Sequence, residues 1–205
     1  MPIMKSLQES SIETLVHGSI ARGDVSEKSD IDIFIPVKPS SFSVETALEK
    51  AKTTINKRLV VQATPTYAMK AQIEIDESTS ISFPLMKMRR VEREFYKFGG
   101  EVNLQQLTKQ LRVPGVDKRL MLIEPTIKGH KESTVFGREN QVAKTLGITL
   151  ETVQDRVRTL IRRDHVGRTG VFIKQELPDE ETFEMALEKL AKGNPAVRRR
   201  LRSLS

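Results

Sequence analysis

The sequence predicts an α/β (α+β) fold, with a small mixed sheet, covering helices and a C-terminal domain resembling a winged helix-turn-helix. Three observations support this prediction. Short runs of alternating apolar residues, typical of strands, recur through the first 83 residues. Amphipathic stretches with a helical period separate them. Between residues 139 and 161, two such helical stretches flank a glycine-containing turn.

The N-terminal half alternates between helix and strand. In chain order we predict a helix at 5–12, strands at 13–17 and 30–35, a helix at 44–57, strands at 58–63, 70–76 and 80–83, and a helix at 85–98. Gly99-Gly100 ends the last of these helices and makes a plausible domain boundary. We therefore predict an N-terminal domain at residues 1–99 and a C-terminal domain at residues 100–205.

The C-terminal half has a different pattern. We predict a helix at 104–111, a strand at 119–124, a polar loop at 125–133, a helix pair turning at Gly147, a hairpin at 166–173 and a helix at 180–190. Helix, turn, helix and hairpin is the order of a winged helix-turn-helix, assigned to residues 139–176. The arginines of residues 198–202 form a basic cluster that we predict to be a disordered charged end, with contact to phosphates as the alternative.

Composition favours a cytoplasmic protein with a polyanionic partner. The chain has no cysteine, which excludes disulfide and thiolate chemistry, and no apolar run long enough to cross a membrane. Its net charge is +7 and its pI is near 9.7. Residues 1–90 hold 12 basic and 11 acidic side chains, whereas residues 91–205 hold 22 and 16. The asymmetry indicates polyanion capture by the C-terminal half.

The most informative segment is Leu15–Ile35, LVHGSIARGDVSEKSDIDIFI. Gly18-Ser19 follows an apolar run, and after ten more residues Asp30 and Asp32 alternate with isoleucines. On a strand both carboxylates leave by the same face, and Mg²⁺ binds such oxygen ligands together with substrate phosphates. At Gly18-Ser19 a strand turns into a short helix, where exposed N–H groups can bind a triphosphate.

This spacing resembles the signature of the DNA polymerase β-type nucleotidyltransferase superfamily. The segment is similar to the matching stretch of archaeal tRNA CCA-adding enzymes, and more closely to short archaeal nucleotidyltransferases, over about residues 12–76. The resemblance implies an α/β core of that type and transfer from an NTP, such as ATP, to a hydroxyl. It also implies that Gly18 and Ser19 hold the β- and γ-phosphates while Asp30 and Asp32 bind two Mg²⁺ or Mn²⁺ ions.

The resemblance further implies a third acidic residue on a neighbouring strand. The predicted strand KAQIEID, residues 70–76, offers Glu74 and Asp76 on one face. Glu74 lies between two isoleucines and is our choice as the third catalytic and metal-binding residue. Asp76, nearer the following turn, stays the alternative. Arg22, just after the phosphate turn, is predicted to contact the nucleotide.

The helix-turn-helix segment carries cationic side chains typical of nucleic-acid binding. We predict that its second helix exposes Thr152, Arg156, Arg158 and Arg162, and its hairpin Arg168. Because arginine contacts base edges and phosphates, we expect RNA or DNA as the partner. The alternative function is a non-catalytic, nucleotide-sensing regulator that binds DNA through this segment. The acceptor and the oligomeric state stay open.

Overall fold

The computed structural model describes residues 1–27, 29–167 and 170–203. The chain divides into two compact units. The first unit comprises Met1–Leu15, Asp32–Arg89 and Gly170–Ser205, and the second comprises Val16–Ile31 and Arg90–Thr169. The chain therefore enters the second unit twice. The division into domains at residues 1–99 and 100–205 stays a prediction from the sequence.

Helices and strands alternate along most of the chain. In chain order they are α1 Pro2–Glu9, β1 Leu15–His17, α2 Ser19–Arg22, β2 Ile31–Phe34, α3 Ser41–Lys50, β3 Lys57–Gln62, β4 Lys70–Glu74, β5 Thr79–Pro84, α4 Arg90–Gly99, β6 Glu101–Asn103, α5 Leu104–Thr108, β7 Gly115–Val116, β8 Met121–Thr126, β9 Gly129–Thr134, α6 Glu139–Leu146, α7 Leu150–Val166, β10 Ile173–Glu176, α8 Phe183–Gly193 and α9 Pro195–Arg202. No helix within the described residues combines the length and apolarity needed to span a membrane.

The sheet of the first unit separates an apolar face from a polar one. Its strands run in the order β10-β3-β4-β5-β2, and the pairs from β10 to β5 are antiparallel. Residues alternate between the two faces of each strand, so β4 and β5 bury Ile73, Ile81 and Phe83 on one face. Phe183 of α8 packs edge-on against Phe83, with 5.5 Å between ring centroids. Helices therefore cover one face, and the other carries polar side chains.

The second unit has a separate core. Its strand β1 neighbours β6, and β7, β8 and β9 form an antiparallel three-stranded sheet. Apolar side chains from α4, this sheet, α6 and α7 pack together: Phe98, Val116, Leu120, Leu122, Val135, Val142, Ala143, Ile148, Val153 and Val157. This core positions α7, which buries Thr152, Val153 and Val157 in its N-terminal half and is exposed from residue 162 to its end.

The predicted fold class is confirmed, since a mixed sheet with covering helices is present. The strands predicted at 58–63, 70–76 and 80–83 correspond to β3, β4 and β5. The predicted helix pair is also present as α6 and α7. Gly147 ends α6 in the left-handed conformation, with a φ of 61°, which glycine adopts without strain.

Two predicted elements of the C-terminal half are wrong. The polar loop predicted at 125–133 lies mostly in the hairpin of β8 and β9. Strand β9 is largely exposed, so its side chains do not show the apolar alternation of a half-buried strand. The described residues of 166–173 form no hairpin, because Val166 ends α7 and Ile173 begins β10, which pairs with β3. Long-range pairing of this kind leaves no local signal.

Two helix predictions also need correction. The helix predicted at 44–57 ends at Lys50, before the β-branched residues Thr53, Thr54 and Ile55, which disfavour helix. The arginines of residues 198–202 lie in α9 rather than in a disordered end. Asn194 caps α9 by accepting from the Ala196 N–H at 2.9 Å, and Pro195 stands at the first helical position.

Candidate functional site

In the first unit, three polar side chains form a row across neighbouring strands. Asp32 lies in β2, and its Oδ1 accepts a hydrogen bond from the Ser80 hydroxyl at 2.9 Å. Ser80 is the register partner of Glu74 in the antiparallel pair of β4 and β5. The Gln72 amide donates to Glu74 Oε1 at 3.4 Å. Since Asp32, Ser80 and Glu74 are half-buried, the row is shielded but reachable from solvent.

Asp76, the alternative third carboxylate, belongs to the turn between β4 and β5. Its Oδ1 accepts from the Ser78 N–H at 2.8 Å, the Ser78 hydroxyl at 2.9 Å and the Thr79 N–H at 2.8 Å. The hydrogen bonds from Ser78, with those from Thr79, lower the pKa of Asp76. Because this oxygen is committed to the turn, the geometry favours Glu74 over Asp76.

Glu74 is not a direct neighbour of Asp32, however. Strand β5 lies between β2 and β4, so the two backbones are roughly 10 Å apart at ordinary strand spacing. Within the described part of the chain, no three His, Cys, Asp or Glu side chains form a group that could hold a metal ion. The predicted cluster of Asp30, Asp32 and Glu74 is therefore not formed among these residues.

The carboxylate chemistry still fits Mg²⁺ in a simpler form. Asp30 is exposed and precedes β2 directly, and Asp32 is half-buried within that strand. One or two carboxylates combined with substrate phosphates are a usual ligand set for Mg²⁺. These two carboxylates, one residue apart in the chain, therefore have the chemistry that Mg²⁺ requires. Ser80, which sequence reasoning missed, orients one of them, and its alternation with buried Ile81 was the available signal.

In the second unit, Gly18 forms the turn between β1 and α2. Its φ of 83° and ψ of −145° lie where side chains other than glycine are strained. A Cβ at this position meets no atom within 4 Å, so backbone conformation rather than space requires glycine. The Gly18 N–H donates to the Gly100 carbonyl at 2.9 Å. Ser19, the first residue of α2, supplies the next N–H of the turn.

The position of Arg22 disagrees with the predicted contact to nucleotide. The side chain is buried, and its Nη1 donates to the Gly99 carbonyl at 2.7 Å and, more weakly, to the Val116 carbonyl at 3.5 Å. Its Nη2 bonds Asp24 at 2.9 Å. Arg22 therefore joins α2 to the end of α4 and to β7. The sequence places the charge of Arg22 just after the turn, which suggested a contact to a ligand. The burial of this side chain depends on the tertiary structure and is not visible in the sequence.

Helix α7 presents only part of the predicted basic surface. Arg158 and Arg162 are exposed, as predicted. The Arg156 guanidinium instead lies over the Phe95 ring, 4.7 Å from its centroid. The prediction that Thr152 is exposed is wrong, since it is 1% exposed. Arg168 lies outside the described residues.

Glu94 of α4 holds the N-terminus of α7. Its Oε2 accepts from the Thr149 N–H at 2.9 Å, the Thr149 hydroxyl at 2.6 Å and the Thr152 hydroxyl at 2.7 Å, and Arg90 donates to Oε1 at 2.7 Å. Burial raises the pKa of Glu94, but these hydrogen bonds outweigh it and lower the pKa to about 2. The carboxylate is thus an interhelix cap for α7.

Comparison with known protein families gives a match that covers the N-terminal part of the chain. Residues 2–99 match the family model of the nucleotidyltransferase domain. The matched residues include Gly18, Ser19, Asp30, Asp32 and Glu74, so the match supports nucleotidyl transfer in general. The comparisons with curated proteins and with solved structures found no match. The likeness to archaeal CCA-adding enzymes, the closer likeness to short archaeal nucleotidyltransferases and the winged-helix assignment stay predictions.

Proposed function

We propose that the protein transfers a nucleotidyl group from an NTP to a hydroxyl of a nucleic acid, in the presence of Mg²⁺ or Mn²⁺. The observation that carries the proposal is the nucleotidyltransferase domain at residues 2–99, in which Asp32 accepts a hydrogen bond from Ser80 on a polar sheet face. Residues 1–99 are the proposed catalytic domain, and residues 100–205 the basic domain that holds the acceptor.

Each polar residue has a proposed part in the chemistry. A divalent ion held by Asp30 and Asp32 would neutralise phosphate charge and activate the attacking hydroxyl. Ser80 orients the Asp32 carboxylate by donating to Oδ1, which leaves Oδ2 for a ligand. The Gly18-Ser19 turn binds the triphosphate, and Glu74 accepts the proton of the acceptor hydroxyl. Phosphoryl transfer needs mainly positioning and charge neutralisation, so this small set of groups is sufficient.

The acceptor is proposed to be RNA or DNA because the chain is basic and α7 exposes Arg158 and Arg162. Exposed arginines that follow each other at four-residue spacing lie on one side of a helix, where both can contact phosphates. Arg168 completes the proposed contact set, whereas Arg156, also predicted to contact nucleic acid, lies over the Phe95 ring instead.

Transfer is tested with α-labelled ATP, CTP, GTP and UTP offered to tRNA, other RNA, DNA primers and protein, with Mg²⁺ or Mn²⁺. We expect label on one class of nucleic acid and its loss in Asp30→Asn and Asp32→Asn. Asp179→Asn is the matched control, since it also neutralises one exposed carboxylate. Turnover that is equal in all three variants contradicts the proposal.

One observation favours a second candidate, the nucleotide-sensing, DNA-binding regulator. Ser80 stands between Asp32 and Glu74, so the described residues lack a compact set of three carboxylates. A regulator of this kind binds NTP with Mg²⁺ but transfers nothing. Its DNA binding weakens with salt and survives both aspartate substitutions.

A further inference from the structure

The last helix of the chain is anchored by a buried arginine. Arg200 is 6% exposed, and its guanidinium donates from Nε to the Thr66 carbonyl at 2.9 Å and from Nη2 to the Lys87 carbonyl at 2.8 Å. Val197, one turn earlier, is fully buried. These contacts hold α9 against the turn before β4 and the segment after β5. The other arginines of α9 are therefore presented by an ordered helix.

The three segments that Arg200 joins contain no acidic residue. Residues 59–73, 78–89 and 193–203 hold neither Asp nor Glu, whereas the chain as a whole has 27 of them. The same segments contribute Lys87 and the arginines of α9. Because no carboxylate lies in these segments to offset the cations, their potential adds up over one surface.

Arg198 and Arg199 extend from the exposed side of α9, opposite or beside the buried Arg200 and Val197. Within the described part of the chain neither makes an ion pair, although other surface arginines do, such as Arg119 with Asp117 and Glu132. Lys87 is exposed next to the carbonyl that Arg200 binds. Cations without protein partners on an anchored helix are suited to an external polyanion.

We propose that α9 and Lys87 form a binding surface for the sugar-phosphate backbone of a nucleic acid. Arginine donates to phosphate oxygens in a bidentate manner, so exposed arginines on an anchored helix are suited to contact a phosphate backbone. Such contacts fix the position of a strand without reading its bases. The surface adds to the proposed function by giving the acceptor strand a contact in the first unit. The proposed surface depends on the proposed function only for the class of its partner, a nucleic acid.

The test measures binding of a labelled mixed-sequence RNA oligonucleotide, and of the same sequence as DNA, without NTP and over a range of salt. We expect Arg198→Gln/Arg199→Gln to weaken binding about tenfold and to reduce the slope of log K against log salt by about 1 to 2. Lys87→Gln, on a different segment of the surface, should weaken binding in the same direction.

The matched control is Lys189→Gln/Lys192→Gln on α8, which removes the same charge beside the carboxylates of that helix. Lys189 pairs with Glu181, which lies just before α8, at 3.7 Å. We expect this control to change affinity less than about twofold. Equal effects of the two double variants would overturn the proposal, as would wild-type binding to anionic lipid vesicles but to neither oligonucleotide. Asp32→Asn distinguishes the proposed transfer reaction from the proposed binding surface. Loss of transfer with unchanged oligonucleotide binding concerns the transfer reaction alone.

Discussion

At the scale of single residues, two features define the candidate site: the backbone conformation of Gly18 and the hydrogen bond from Ser80 to Asp32. Gly18 has a φ of 83° at the start of α2, and Gly23 at the end of this helix has a φ of 84°. Ser80 orients Asp32 from the adjacent strand. Arg22, by contrast, is packed inside the second unit. One short motif therefore contains residues proposed to contact a ligand and a residue, Arg22, that supports the fold.

Gly18→Ala should lower the free energy of unfolding by about 1–3 kcal/mol, because alanine is strained in this backbone conformation. The space around the position is open, so no steric clash adds to the cost. Gly193→Ala is the control, since Gly193 has equally open surroundings and no positive φ. Urea denaturation measures the free energy of unfolding of both variants. Equal values would show that a side chain at position 18 causes no backbone strain.

Ser80→Ala should weaken Mg²⁺-dependent NTP binding by about tenfold, because one charge-assisted hydrogen bond to Asp32 is lost. Ser82→Ala is the matched control, two residues further along β5 and also half-buried. Calorimetric titration with NTP measures the binding, and the melting temperature reports any change of fold. If Ser82→Ala weakens binding equally, the hydroxyl of Ser80 has no specific role.

At the scale of elements, the order of helices and strands hides which of them pack together. Strand β10 joins β3, which lies more than a hundred residues earlier in the chain. Helix α7 is held by Glu94 of α4 through its own N-cap, Thr149. A carboxylate at a helix N-terminus also meets the positive end of the helix dipole. The second unit thus depends on a polar contact in addition to its apolar core.

Glu94→Gln should remove a stabilisation of up to about 3 kcal/mol near neutral pH. The pKa of Glu94 is lowered from 4.5 to about 2, so its contribution is complete above 4.5 and declines as the pH falls toward 2. The wild type should therefore lose stability over this range more steeply than the variant. Glu151→Gln, at an exposed acid in the first turn of α7, is the control.

Urea unfolding at several pH values measures the Glu94 effect. Parallel pH profiles for the wild type and Glu94→Gln would contradict the role of this carboxylate as a cap, whatever the difference in stability at neutral pH.

At the scale of the whole molecule, charge is the property that relates the chain to its partners. The net charge of +7 is carried by side chains with different environments. Some arginines are buried or stacked, as Arg22, Arg156 and Arg200 are. Other arginines are exposed to solvent, among them Arg158, Arg162, Arg198 and Arg199. Only the exposed group is available for phosphates.

Arg158→Gln/Arg162→Gln should reduce the salt dependence of nucleic-acid binding, with a change in slope of about 1 to 2. Arg156→Gln should leave that slope unchanged and lower stability instead, since its guanidinium packs on Phe95 at 4.7 Å. Fluorescence anisotropy over a range of salt, with thermal melting, measures both effects. A larger change in slope for Arg156→Gln than for the double variant would show that Arg156, rather than Arg158 and Arg162, contacts the phosphates.

The sequence alone determined the strands, the helix pair and the nucleotidyltransferase motif, because each depends on local periodicity or on short spacing. Alternation in KAQIEID marked β4, and the apolar stripes marked α6 and α7. The match at residues 2–99 agrees with the motif read from Gly18-Ser19 and Asp30-Ile31-Asp32.

The tertiary structure decided which polar groups meet, because hydrogen-bond partners and burial depend on residues far apart in the chain. It paired Ser80 with Asp32 across 48 positions and Arg200 with Thr66 across 134. It also separated Glu74 from Asp32 by a strand, since sheet order is set by long-range packing rather than by sequence order. For the same reason, an arginine in the sequence becomes a ligand contact or a core residue only once the chain has folded.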